Sequence, residues 1–200
     1  MNAVFLSASV PRPDRGDFHK SADPFLIQCA VREFLIAVLG RRLLVWGGHP
    51  AITPMVWATC QELGVEYSRT VALYQSRFFE ADFPTENVHF ENVMKIGAIP
   101  NDREKSLERM REDMLSRTDL NAAVFIGGME GVLTEYDLFR SHHPNGRVVS
   151  VAGSGGAARL LAERLGMWRP DQQPDLNFAR IFHTELDIRP DEPRRLSLLP

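Results

Sequence analysis

Ala123-Val124-Phe125-Ile126-Gly127-Gly128-Met129-Glu130-Gly131-Val132-Leu133-Thr134-Glu135 passes from an apolar run, through three glycines, into a stretch with helical periodicity. A short apolar run bounded by glycine reads as a buried parallel strand, and the segment after it as the helix that covers the sheet. The same passage occurs twice more, at Leu43-Leu44-Val45-Trp46-Gly47-Gly48 and at Val148-Val149-Ser150-Val151-Ala152-Gly153-Ser154-Gly155-Gly156. Strands that alternate with helices in this way specify βαβ units and a mostly parallel sheet. The expected fold is therefore α/β, a Rossmann-like doubly wound domain.

Outward from these passages the remaining elements fall into place. Strand one is expected at Ala3 to Ser7, and helix one between the Asp23-Pro24 start and the Gly40 stop. An aspartate N-cap followed by proline at N1 is a strong helix opening. Thr53-Pro54 repeats the device for helix two, which closes at Gly64. Val71 to Tyr74 and part of Val88 to Ile96 are expected strands, separated by a loop or short helix with exposed aromatics from Phe78 to Pro84. Helix three covers Asp102 to Ser116, helix four Val132 to Ser141 and helix five Gly155 to Leu165. Residues 1–166 make up the expected α/β domain. Composition then shifts toward proline, so 167–200 reads as an extension with a helix at 176–186 and a flexible tail.

Composition narrows the function. The 200 residues are 44% apolar and 24% charged, with a formal net charge of −3, which argues against a nucleic-acid surface. No apolar run approaches the ~20 residues needed to cross a bilayer, and no signal-peptide pattern opens the chain. Cys29 and Cys60 lie in helical patterns and read as core thiols, so a cytoplasmic setting without metal is expected. His142-His143, before a turn, reads as a structural or solvated pair. No Gly-x-Ser-x-Gly elbow, P-loop or complete dinucleotide fingerprint is present.

Glycine turns after parallel strands gather backbone N–H groups and helix N-termini at one sheet edge, where an anion is favoured. Ligand contacts are therefore expected from Gly47, Gly48, Gly127, Gly128, Met129, Glu130, Gly131, Ser154, Gly155 and Gly156. His49 is a ligand contact or a turn residue, and Ser7 and Ser9 are phosphate or base donors or turn chemistry. Glu135, on the first turns of helix four, can accept from a ribose hydroxyl or act as a general base. Arg12 and Arg15, on a turn-rich loop beside strand one, can cover the ligand or stay solvated. Glycines used only for tight strand–helix connections are the plain alternative for any one loop.

Phe125 to Glu135 resembles the PGGxGTxxE motif of the LOG proteins, and Trp46-Gly47-Gly48 the earlier glycine loop of that family. On these residues the chain is identified as a member of the SLOG superfamily, which joins LOG proteins, Smf/DprA proteins and TIR-like relatives. It looks closest to the cluster 3 subfamily of bacterial conflict systems, over about Ala3 to Leu165. The resemblance implies a sensor of a nucleotide or NAD-derived ligand with no required cofactor, a homo-oligomer and an effector protein partner. The alternative it implies is a LOG-like phosphoribohydrolase with Glu135 as acid/base and Arg111 on the phosphate. A DNA-processing role akin to Smf/DprA is a third reading, against which the acidic balance counts. LOG enzymes carry an Arg-Lys pair four and three residues before a methionine. Counted from Met114, those positions are Met110 and Arg111, and the motif threonine is Val132.

Overall fold

The apolar strand cores are buried on both faces, as a parallel sheet between two helical layers requires, except in the edge strand Asn92–Ile96, which is only half-buried. The computed structural model describes residues 3–196 and contains one six-stranded, all-parallel sheet. The strands are β1 (Ala3–Ser9), β2 (Leu43–Trp46), β3 (Val71–Ser76), β4 (Asn92–Ile96), β5 (Leu120–Gly127) and β6 (Arg147–Val151). Their spatial order is β4-β3-β2-β1-β5-β6. The chain builds outward from β1 to β4, crosses back, and adds β5 on the other side of β1. Order reverses at the β1/β5 junction, the switch point where an open α/β sheet forms its crevice. The fold is Rossmann-like and doubly wound.

Alternate residues of one strand feed two separate cores. Val4 and Leu6 of β1 join Leu44, Val124 and Ile126 beneath α1 (Pro24–Val38), α2 (Thr53–Leu63) and α6 (Phe178–Glu185). Ala3 and Phe5 join Val45, Ala123 and Phe125 beneath α3 (Arg103–Leu115), α4 (Glu130–His142) and α5 (Gly156–Arg164). Phe5 and Phe125 meet edge-to-face at 6.3 Å in the second core.

The Asp23 carboxylate accepts from the Phe25 and Leu26 N–H groups, capping α1 at the expected place. Thr53 behaves differently from a cap. It lies within α2, and its hydroxyl accepts from the His49 N–H at 3.1 Å, reaching back to hold the glycine loop. Cys60, on the inner face of α2, is fully buried, and that burial pushes its thiol up to about 12.

α1 is apolar over more than half its circumference because it is covered twice, by the sheet and by α6. Phe182 of α6 packs edge-to-face on Phe34 at 5.4 Å, and Phe178, Leu186 and Ile188 extend the same core. The core thus continues past residue 166, where composition shifts. The segment beyond runs back against the end of α1, as far as residue 196. Arg194 donates to the Ile36 carbonyl at 2.6 Å and to that of Leu39, while Arg41 donates to Glu192 O at 2.7 Å. Arg42 pairs with the Glu192 carboxylate and holds that carboxyl below its usual range. The last carbonyls of a helix lack intrahelical partners, and here guanidinium groups supply them. The final four residues lie outside the described part. No described helix is long and apolar enough to cross a membrane.

Candidate functional site

A cleft of about 510 Å³ lies across the carboxyl ends of β1, β2 and β3, beside the N-terminus of α4. α3 forms one wall. Two loops overhang it, residues 10–17 after β1 and residues 77–84 after β3.

Its polar centre joins three elements that are far apart in sequence. Ser7, at the buried end of β1, donates its hydroxyl to Glu135 Oε2 at 2.5 Å. Arg111 of α3 donates its Nε to Glu135 Oε1 at 3.1 Å. Both charged side chains are mostly buried, at 14% and 16% exposure, so their attraction is weakly screened. Gly131 makes this possible. A Cβ there would stand 2.9 Å from Arg111 Nη2, so the third glycine of the motif leaves passage for a guanidinium.

The α4 N-terminus opens on the same cleft. Its N-cap, Met129, offers no side-chain acceptor, so the first N–H groups of the helix have no cap. Met129, Glu130 and Gly131 line the cleft there. The Glu130 carboxylate is more than half exposed and lies 4.0 Å from Arg15 of the overhanging loop. Such an end, with its aligned dipole, suits a phosphate or carboxylate.

Gly127 and Gly128 serve it from below. Both take positive φ, +60° and +78°. Their N–H groups are consumed, that of Gly127 by Ser154 Oγ at 2.8 Å and that of Gly128 by Ser9 O at 2.8 Å. The third glycine passage lies further back and does not line the cleft. Ser154 is fully buried and also donates to Val151 O at 2.6 Å. Gly156 N–H donates to Ser21 Oγ and Ala157 N–H to Gly128 O. A Cβ on Gly155 would fall 1.9 Å from Ser21 O. Ser154, Gly155 and Gly156 therefore buttress the Gly127–Gly128 turn, in contacts that no local pattern encodes.

Gly47, Gly48 and His49 line the opposite side, with Ser9 at the end of β1. His49 Nδ1 accepts from the Ala51 N–H at 3.2 Å, which leaves Nε2 as the protonated nitrogen of the neutral ring. Burial pushes its pKa below 6.5, toward that neutral form. Gln75, from β3, escaped the sequence reading. Its amide donates to Gly47 O at 3.4 Å and occupies the space a Cβ on Gly48 would need. The only sequence signal was a polar residue ending an apolar strand. Met110, at the LOG arginine position, is buried in the α3 wall with Met114, facing Gly47. Arg12 is engaged with Asp14 at 2.8 Å and Arg103 with Glu104. Among the described residues, no three His, Cys, Asp or Glu side chains are grouped to hold a metal ion.

The family model described as the SLOG cluster3 family matches residues 17–186. The chain belongs to the SLOG cluster 3 family. SLOG membership supports a nucleotide-related function in the broad sense, and the matched region runs through α6, which packs into the core. Comparisons with the curated proteins and with the solved structures each found no match.

Proposed function

We propose that this SLOG protein is a sensor that binds a nucleotide or NAD-derived ligand in the switch-point cleft and returns it unchanged. The observation that carries the reading is the meeting of Ser7, Glu135 and Arg111 beside the uncapped end of α4. A phosphate there would take the Met129–Gly131 N–H groups, and Glu135 would accept from ribose hydroxyls. The thioether of Met110 favours binding over turnover, since it withdraws one cation from the site that the LOG enzymes carry. In a conflict system the ligand-bound protein would act on an effector partner from the cytoplasm, as a homo-oligomer.

The retained Glu135–Arg111 pair favours one second reading, N-glycosidic hydrolysis with Glu135 as the acid/base group. Thermal-shift measurements with NAD, ADP-ribose, cyclic ADP-ribose and nucleoside monophosphates separate the two when each hit is chromatographed afterwards. Ligand at 100 times its Kd adds about 2.7 kcal/mol to the folded state, a rise in Tm of roughly 5–10 °C for a chain of this size. An intact hit supports the sensor. Recovery as free base and ribose phosphate supports the hydrolase, and an unshifted Tm across the set refutes both.

A further inference from the structure

Two aromatic rings in the cleft serve neither core. Phe79 and Phe83, in the loop after β3, are half-buried and line the cleft. Among the described residues neither packs against either apolar core cluster. Half-buried phenylalanine in an otherwise exposed loop costs apolar exposure unless something covers it.

The loop is tied down from both sides. Lys95 of β4 pairs with Glu80 at 3.0 Å and lies 5.9 Å from the Phe83 ring centre. The Arg103 guanidinium, at the start of α3, lies 5.7 Å from the Phe79 ring. Phe78 meets Phe79 edge-to-face at 5.1 Å. The rings are thus held in place, and Leu107 and Met110 of α3 line the same cleft. Arg103 and Arg111 are eight residues apart on α3, about 12 Å by helical rise. The cleft therefore has two unlike ends, an aromatic one at Arg103 and an anion-accepting one at Arg111.

The geometry points to Phe79 and Phe83 as the nucleobase subsite, the base stacking on Phe79 while the phosphate lies at α4. The inference rests on the nucleotide reading of the cleft and adds which part of the ligand each end takes. A flat, polarisable ring satisfies exposed aromatic faces, and Met110 supplies a soft thioether contact at the slot's wall. At this end the charges of Glu104 and Arg103 offset each other as a pair, and Asp82 adds a negative charge that disfavours a phosphate there.

The test measures binding of AMP, ADP-ribose and ribose 5-phosphate by calorimetry to the full chain and to Phe79→Ala and Phe79→Trp. Loss of one stacking ring is expected to weaken AMP and ADP-ribose about tenfold. Ribose 5-phosphate, which lacks a base, is expected to bind Phe79→Ala as it binds the unaltered protein, and Phe79→Trp to restore AMP. Unchanged nucleotide affinity in Phe79→Ala overturns the subsite, as does equal weakening of ribose 5-phosphate. Failure of Phe79→Trp to restore AMP overturns it as well. If none of the three probes binds the unaltered protein, the nucleotide reading itself falls and the subsite with it.

Discussion

Replacing Phe182 with alanine tests whether α6 is part of the structural core. Its ring is fully buried, packed edge-to-face on Phe34 of α1, and sits on a helix whose Phe178 is also buried. Truncating a buried phenylalanine costs about 3–5 kcal/mol, combining lost transfer free energy with the cavity left behind. The aromatic pair raises the cost toward the upper part of that range. For a chain of this length each kcal/mol lowers Tm by about 2–4 °C, so a fall of roughly 8–20 °C is expected. Urea unfolding followed by circular dichroism and tryptophan fluorescence should give one shared, shifted transition with m unchanged. Val88→Ala, on a side chain 81% exposed, should change stability by under about 0.5 kcal/mol. A Phe182→Ala protein within 1 kcal/mol of the original would refute the argument, because α6 would then be an appendage. So would loss of α6 in a separate early transition that leaves the sheet intact.

Three other outcomes follow from the site. Glu135→Gln removes the counter-charge of Arg111, so stability should fall by about 1–3 kcal/mol in urea and bound-nucleotide protection should shrink; unchanged values on both counts would remove Glu135 from the site. Ser154→Ala strands the Gly127 N–H and should cost about 1–3 kcal/mol, with ligand affinity affected only through folding; a stable variant that has lost its ligand would move Ser154 to the cleft. His49 is held below 6.5 in the folded chain, so the unfolded chain binds more protons as pH falls. Its contribution is complete above pH 6.5 and is lost as pH drops through the folded value, and His49→Gln should flatten the stability profile between pH 7 and 5. A profile of the same slope in that variant would assign the dependence to other groups.

The sequence reading succeeds where one residue type answers to one local cause. Apolar runs at Leu43–Trp46 and Ala123–Ile126 become strands because both faces are buried, and Asp23-Pro24 opens α1 because an aspartate oxygen reaches two orphan N–H groups. Ser7, Arg111 and Glu135 meet in the cleft from three elements separated by up to 128 positions; the motif likeness points to Arg111 and Glu135, and the position at the end of strand one to Ser7. Tertiary causes were hidden. Gly131 looks like a turn glycine and is a passage for Arg111, while Gly155 is required by the Ser21 carbonyl, distant in sequence. The contacts of residues 191–196 are not legible in the sequence, because no composition rule shows that Arg194 reaches the carbonyls of Ile36 and Leu39. Gln75 stayed unseen because its meaning depends on Gly48 lying against it.

The three glycine passages, alike as strings, sit at different depths, and this predicts two ways of being silent in a mutational screen. Changes at Gly155 and Gly156 collide with backbone, so those variants should vanish from the soluble fraction. Changes at Phe79, which packs against neither core cluster, leave that scaffold untouched and should yield protein that is abundant yet unresponsive. Sorting inactive clones by abundance before sorting them by position would draw the outline of the binding surface without any ligand in hand.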